Sequence, residues 1–261
     1  MMIIDIASWW SFLLVFLRIA TFMVTAPVIS GRQIPNLYKV AFSVFLSMVT
    51  VGMVNGRANI EAWSDWTLAV AIMKEFLVGI VLGLTASIFF YAVQIAGALM
   101  DLLIGFSMAS LYDPSFGTNA QLTGRFKSMI AMLVLFAIDG HHLLIQGILT
   151  SFDWVTLDAA VPAWLDGRLS SFLLDCVTQM FLIGFMMALP IVGTLFLVDV
   201  ALGIVSRTVP QMNMFAVFPP IKILIHFLVY IFVLPGFFYL LKLLFENMFD
   251  SMSAILKIMG A

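Results

Sequence analysis

The sequence predicts an all-α integral membrane protein of long helices, and three observations lead there. Of the 261 residues, 63% are hydrophobic and 10% charged, whereas soluble domains run at about 45–50% apolar and about 25% charged. The apolar residues form runs of bilayer-spanning length, two of them far longer than a single crossing needs. Pro, Gly, Asp and Asn gather between the runs, and tryptophans stand where an aromatic belt would place them. The whole chain, 1–261, reads as a single membrane domain without room for a separate soluble one. Twelve Lys and Arg against fourteen Asp and Glu give a net charge of −2, which leaves no basic field for nucleic acid. Cys176 is the single cysteine, so no internal disulfide is expected.

Taken in order, the first span covers residues 8–26, with Trp9 and Trp10 at its start. Its leader-like end, MMIIDIASWW, has no basic n-region and no small-x-small cleavage site, which reads as a retained helix. Arg18 lies inside this span and either snorkels to the interface or pairs with an acid on another helix, the pairing being favoured at this depth. Pro27, Gly31 and Pro35 mark a loop. Residues 40–54 are short for a span, since about 20 are usual. Residues 55–65 are polar and read as a loop, flanked by Trp63 and Trp66.

Residues 66–111 are apolar almost throughout, broken by Lys74, Glu75, Gln94 and Asp101. A straight helix of that length reaches about 69 Å, more than twice a hydrocarbon core of about 30 Å. The run therefore folds back as a hairpin or extends well outside the bilayer. Lys74 and Glu75 are neighbours that point differently on a helix, so each is expected to find its partner elsewhere. Gly79 and Gly83 form a G-x-x-x-G, and Gly184 with Ala188 a second small-residue pair. Both let helices approach closely, either within the chain or between subunits.

Residues 112–121, YDPSFGTNAQ, form a loop started by Asp113-Pro114, with Gly117 and Asn119 tolerating unusual backbone angles. Bulky apolar side chains bracket it and need something to pack on. The next span, 129–149, carries Asp139, His141 and His142. Adjacent histidines diverge by about 100° on a helix, so no metal site is expected there. Residues 153–168 read as an acidic loop. The second overlong run, 172–205, would reach about 51 Å, with Asp175 and Asp199 at its ends and Pro190 expected to kink or break it. The last span, 223–245, begins near His226 and is expected to break at Pro235-Gly236. The tail, 246–261, reads as an amphipathic helix for a membrane or a partner. So many segments of unusual length suit a helix assembly shielded by other subunits.

No catalytic constellation is present: the sequence has neither a G-x-x-x-x-G-K-[ST] phosphate loop nor an H-E-x-x-H. The chain reads as no enzyme, with no cofactor. Asp101, Asp139, Asp175 and Asp199 are intramembrane acids, which either relay protons or serve structure, pairing with cations such as Arg18 and Lys74 or ending helices.

The stretch 198–226, VDVALGIVSRTVPQMNMFAVFPPIKILIH, organises the rest. Asp199 rides an apolar helix to Arg207. Pro210-Gln211-Met212-Asn213 follows, then Pro219 and Pro220, which are expected to block a helix, and Ile221-Lys222-Ile223, which starts another. The run D-V-A-L-G-I-V-S-R-T-V-P-Q-M-N-M-F-A-V-F-P-P-I-K-I closely resembles the signature of the FliR family of flagellar protein-export gates, to which injectisome subunits are related. The match runs residue by residue through Asp199, Arg207, Pro210, Gln211, Asn213, Pro220 and Lys222.

That resemblance implies a structural and channel role in the bacterial inner membrane, at the flagellar basal body, with parts towards the periplasm. It implies assembly with FliP and FliQ subunits into a helical export gate, joined by FlhA and FlhB, that passes unfolded flagellar subunits. It implies a first part, about 1–150, that folds like FliP and a second, about 151–261, that folds like FliQ. Residues 105–117 resemble the family's loop that inserts into the channel, which makes Gly105, Phe106, Met108, Leu111, Tyr112, Asp113, Pro114, Phe116 and Gly117 the expected plug. The alternative from another class is a proton-coupled secondary transporter of a small solute, with helices broken near Pro190, Pro210 and Pro219-Pro220. The sequence has no internal repeat of the kind such transporters show.

Overall fold

A computed structural model describes residues 6–31, 34–54, 63–105, 122–158, 167–209, 211 and 214–260. Among them are seven helices and no strand: α1 (Ile6–Thr25), α2 (Asn36–Val54), α3 (Asp65–Ile104), α4 (Leu122–Ala137), α5 (Gly140–Trp154), α6 (Arg168–Thr208) and α7 (Met214–Gly260). The protein is all-α, as its composition requires. Four helices, α2, α3, α6 and α7, are long and apolar enough to cross a membrane, and the pair α4 and α5 makes a fifth if it is one span.

Both overlong runs are single helices. α3 has 40 residues and α6 has 41, about 60 Å each, so as far as Ile104 the run 66–111 is one helix and does not fold back as a hairpin. Several expected breaks are absent. Pro190 lies inside α6 without ending it, and Pro235 does the same in α7. A proline deletes one bond of the ladder, and strongly apolar flanks keep the helix going on both sides. Pro219 and Pro220 also lie inside α7. They are its sixth and seventh residues, past the first turn, so each deletes a ladder bond there as Pro235 does, and the helix continues through them. The tail is the end of the 47-residue α7, not a separate helix.

Two compact units divide the chain. The first comprises Met1–Phe89, Phe136–Val177 and Glu246–Ala261; the second comprises Phe90–Leu135 and Thr178–Phe245. In the first, Leu14, Val15, Ile19, Phe22 and Met23 of α1 and Val78 and Leu82 of α3 are fully buried or nearly so. Gly79 and Gly83 make that packing possible. A Cβ on Gly79 would stand 2.4 Å from the Arg18 carbonyl, and one on Gly83 would stand 2.8 Å from Thr25 Cβ. The tail is amphipathic, but this chain covers its apolar face: Met248, Met252, Ile255 and Met259 are buried, and Met252 reaches Gly147 of α5.

A charge cluster lies at the centre of the first unit. Arg18 pairs with Glu75 and donates to the Ser151 carbonyl (2.9 Å), Ser151 Oγ (3.1 Å) and the Val155 carbonyl (2.8 Å), while its guanidinium lies 4.2 Å from the Phe152 ring centroid. Lys74 donates to the Thr156 carbonyl (2.8 Å) and lies 3.0 Å from Glu75 Oε1. Glu75 and Lys74 each find a partner elsewhere, as expected, and they also meet one another, because long side chains can curl together off one turn. The carbonyls they serve belong to the end of α5 and the residues after it, where a helix leaves acceptors unfilled and favours positive charge.

Within the second unit, Gly184 of α6 lies against α3, where a Cβ would come within 2.8 Å of the Ala92 carbonyl. Ala188, one turn on, is fully buried. Both small-residue pairs thus serve packing inside the chain.

Candidate functional site

The second unit holds both stems of the segment 106–121, which itself lies outside the described residues. On the outgoing side, α3 ends in Gly105, whose φ of 91° and N–H bond to the Asp101 carbonyl (3.2 Å) make a glycine-type helix stop. One residue from that end, the Leu103 carbonyl accepts from Lys222 Nζ (3.2 Å), and the same ammonium pairs with Asp199. A cation from α7, oriented by an acid from α6, therefore holds an acceptor that the end of α3 leaves open.

On the returning side, Asp101 serves the start of α4. Its carboxylate accepts from the backbone N–H of Thr123 (3.1 Å) and of Gly124 (3.3 Å). These are two of the four donors that a helix start leaves unpaired, and the negative charge also suits that end of the dipole. One turn earlier on α3, Gly97 meets Gly124: a Cβ on Gly97 would come 2.1 Å from Gly124 Cα. The two backbones touch there, which brings Asp101 within reach. Behind this stem, Lys127 of α4 is fully buried, contacts Met100 Sδ, and lies 4.9 Å and 5.4 Å from the ring centroids of Tyr230 and Phe237. Aromatic faces stabilise a desolvated ammonium by cation–π attraction.

The family model described as bacterial export proteins, family 1, matches residues 9–248. Among curated proteins, flagellar biosynthetic protein FliR of Bacillus subtilis (strain 168) is 38% identical over 96% of both chains. The proteins of the same name from Pectobacterium carotovorum subsp. carotovorum and Escherichia coli (strain K12) are 30% and 26% identical, covering 97% and 96% of this chain and 95% of each relative. The chain belongs to the FliR family of bacterial export proteins.

In this export protein, two residues of the signature, Asp199 and Lys222, come together at the stem of 106–121. The rest scatter. Arg207 is exposed in the last turn of α6, where its charge suits the helix end, and Gln211 is exposed beyond it. Pro220 is exposed near the start of α7. Pro210 and Asn213 lie outside the described residues, as do Phe106, Met108, Leu111, Tyr112, Asp113, Pro114, Phe116 and Gly117. Of the four acids, Asp101 ends a helix and Asp199 pairs with a cation, whereas Asp175 and Asp139 are exposed.

Sequence reasoning missed Gly97 with Gly124 as the backbone crossing, and Lys127 as a buried cation. The spacing of Gly97 and Asp101, one helical turn apart just before a loop, is the signal that could have found the stem. The expected divergence of His141 and His142 also fails. They lie at a helix start next to a left-handed Asp139, and their ring centroids are 4.1 Å apart.

Proposed function

We propose that this component of the flagellar export apparatus is a subunit of the inner-membrane export gate, forming with FliP-like and FliQ-like subunits the channel for unfolded flagellar proteins. FlhA and FlhB complete the apparatus around it, and parts of the assembly lie towards the periplasm. Residues about 1–150 take the FliP-like place and 151–261 the FliQ-like place. Segment 105–117 is the plug that keeps the conduit closed at rest. A pore wide enough for an unfolded chain needs such an apolar closure to hold back ions and water.

The doubly anchored stem is the observation that carries the plug. Asp101 holds the returning helix, and Lys222 with Asp199 holds the outgoing one. Two of the residues that carry the family signature thus converge on the base of that one loop. The long apolar helices support the assembly. Exposed large apolar side chains on α6 run from Leu174 to Val205, about 46 Å along the helix against a hydrocarbon core of about 30 Å. Lipid tails alone do not cover that length, and neighbouring protein does.

Co-expression with FliP-like and FliQ-like subunits, followed by purification in mild detergent and mass measurement, tests the reading. One stable hetero-oligomer containing this chain is the expected result. A chain that purifies alone as a stable monomer or small oligomer, and ignores those subunits, would favour the small-solute transporter.

A further inference from the structure

Two of the chain's three histidines, His141 and His142, stand with Asp139 at the break before α5 in the first unit. One ligand atom from each of these three residues lies within 4.8 Å of the other two. His142 Nδ1 is 3.6 Å from Asp139 Oδ1. The ring of His141 packs against Phe136, with centroids 5.0 Å apart. Its Nδ1 is buried and has no hydrogen-bond partner among the described residues. A buried ring nitrogen without a partner is costly, and an ion bound to that nitrogen would supply one.

We propose that Asp139, His141 and His142 form a site for a divalent cation of the Zn2+ class. Two imidazoles and a carboxylate are a donor set such ions accept when water fills the remaining position. Ca2+ and Mg2+, which want six or more oxygens, fit this set poorly. Bonds of about 2.0–2.2 Å require the donors to close in on one another. That movement falls to Asp139 and His142, whose side chains are 79% and 72% exposed, while His141 is held by its packing. The carboxylate also offsets the positive end of the α5 dipole, which would otherwise repel a cation.

Zn2+ titration of the full chain, purified with a histidine-free tag and stripped with chelator, tests this against a chromophoric competitor. One saturable Zn2+ per chain is expected. His142→Gln and Asp139→Asn, both at exposed side chains, should each weaken binding at least about tenfold, since even partners behind a ligand contribute that much. His226→Gln, in the second unit, should leave binding unchanged. Helical circular dichroism and elution volume confirm that the variants fold. Absence of saturable binding, wild-type affinity in both ligand variants, or loss of binding in His226→Gln would each overturn the site.

Discussion

Arg18, Lys74 and Glu75 in the first unit keep at most 1% of their side chains exposed, whereas Lys222 and Asp199 in the second keep 16% and 35%. Both groups do the same local work, placing cations on carbonyls at or just beyond a helix end. The sealed group has two cations on one acid, with an aromatic ring and the carbonyls of Ser151, Val155, Thr156 and Leu157 around it. The open group holds a single carbonyl at the foot of segment 106–121. The same chemistry is thus enclosed in one unit and open to solvent in the other, and the two should respond differently to substitution.

The largest effect should come from the sealed group. Glu75→Ala leaves Arg18 and Lys74 buried without their anion, and removing one partner of a buried pair costs about 3–5 kcal/mol. Thermal unfolding in detergent should show a collapsed or sharply lowered transition, and little folded protein should be recovered. Next is Gly83→Leu, which forces a side chain into Thr25 and should cost about 1–3 kcal/mol by overpacking. Its complex yield, read on native gels, should fall with the stability of the chain. Normal stability with low yield would move Gly83 from the fold to a subunit contact.

The open group should behave differently. Lys222→Met and Asp199→Asn should cost the chain only about 1 kcal/mol, as for partly exposed ion pairs. The gate should assemble, while export and motility fall. If either variant instead destabilises the chain as much as Glu75→Ala, the contrast between the enclosed and the open group fails. Arg207→Gln, at an exposed position, should shift chain stability by less than about 0.5 kcal/mol, a change that melting curves of the isolated chain would register as negligible.

Much of this was legible from residues alone. Apolar run length and charge scarcity were enough for the helices, and the unpaired Arg18 announced an acid on another helix. Helix continuity was not legible. Pro219, Pro220 and Pro235 read as breaks because a proline's local cost is visible in sequence, while the surrounding apolar helix that outweighs it is a cooperative property. The stem of 106–121 escaped for a related reason. Lys222 and Leu103 are 119 residues apart, and a bond to a backbone carbonyl leaves no trace in side-chain identity. His141 and His142 were misjudged because the 100° separation fixes only where their Cα–Cβ bonds leave the helix, and the rings beyond still turn towards one another.

Membrane conductance of cells expressing the whole gate tests the central claim most directly. Deleting residues 110–117 should leave the complex assembled and make the membrane leak ions, and Lys222→Met should leak to a smaller degree. An assembled deletion variant whose membranes stay as tight as wild type would contradict the plug and the role given to its anchor.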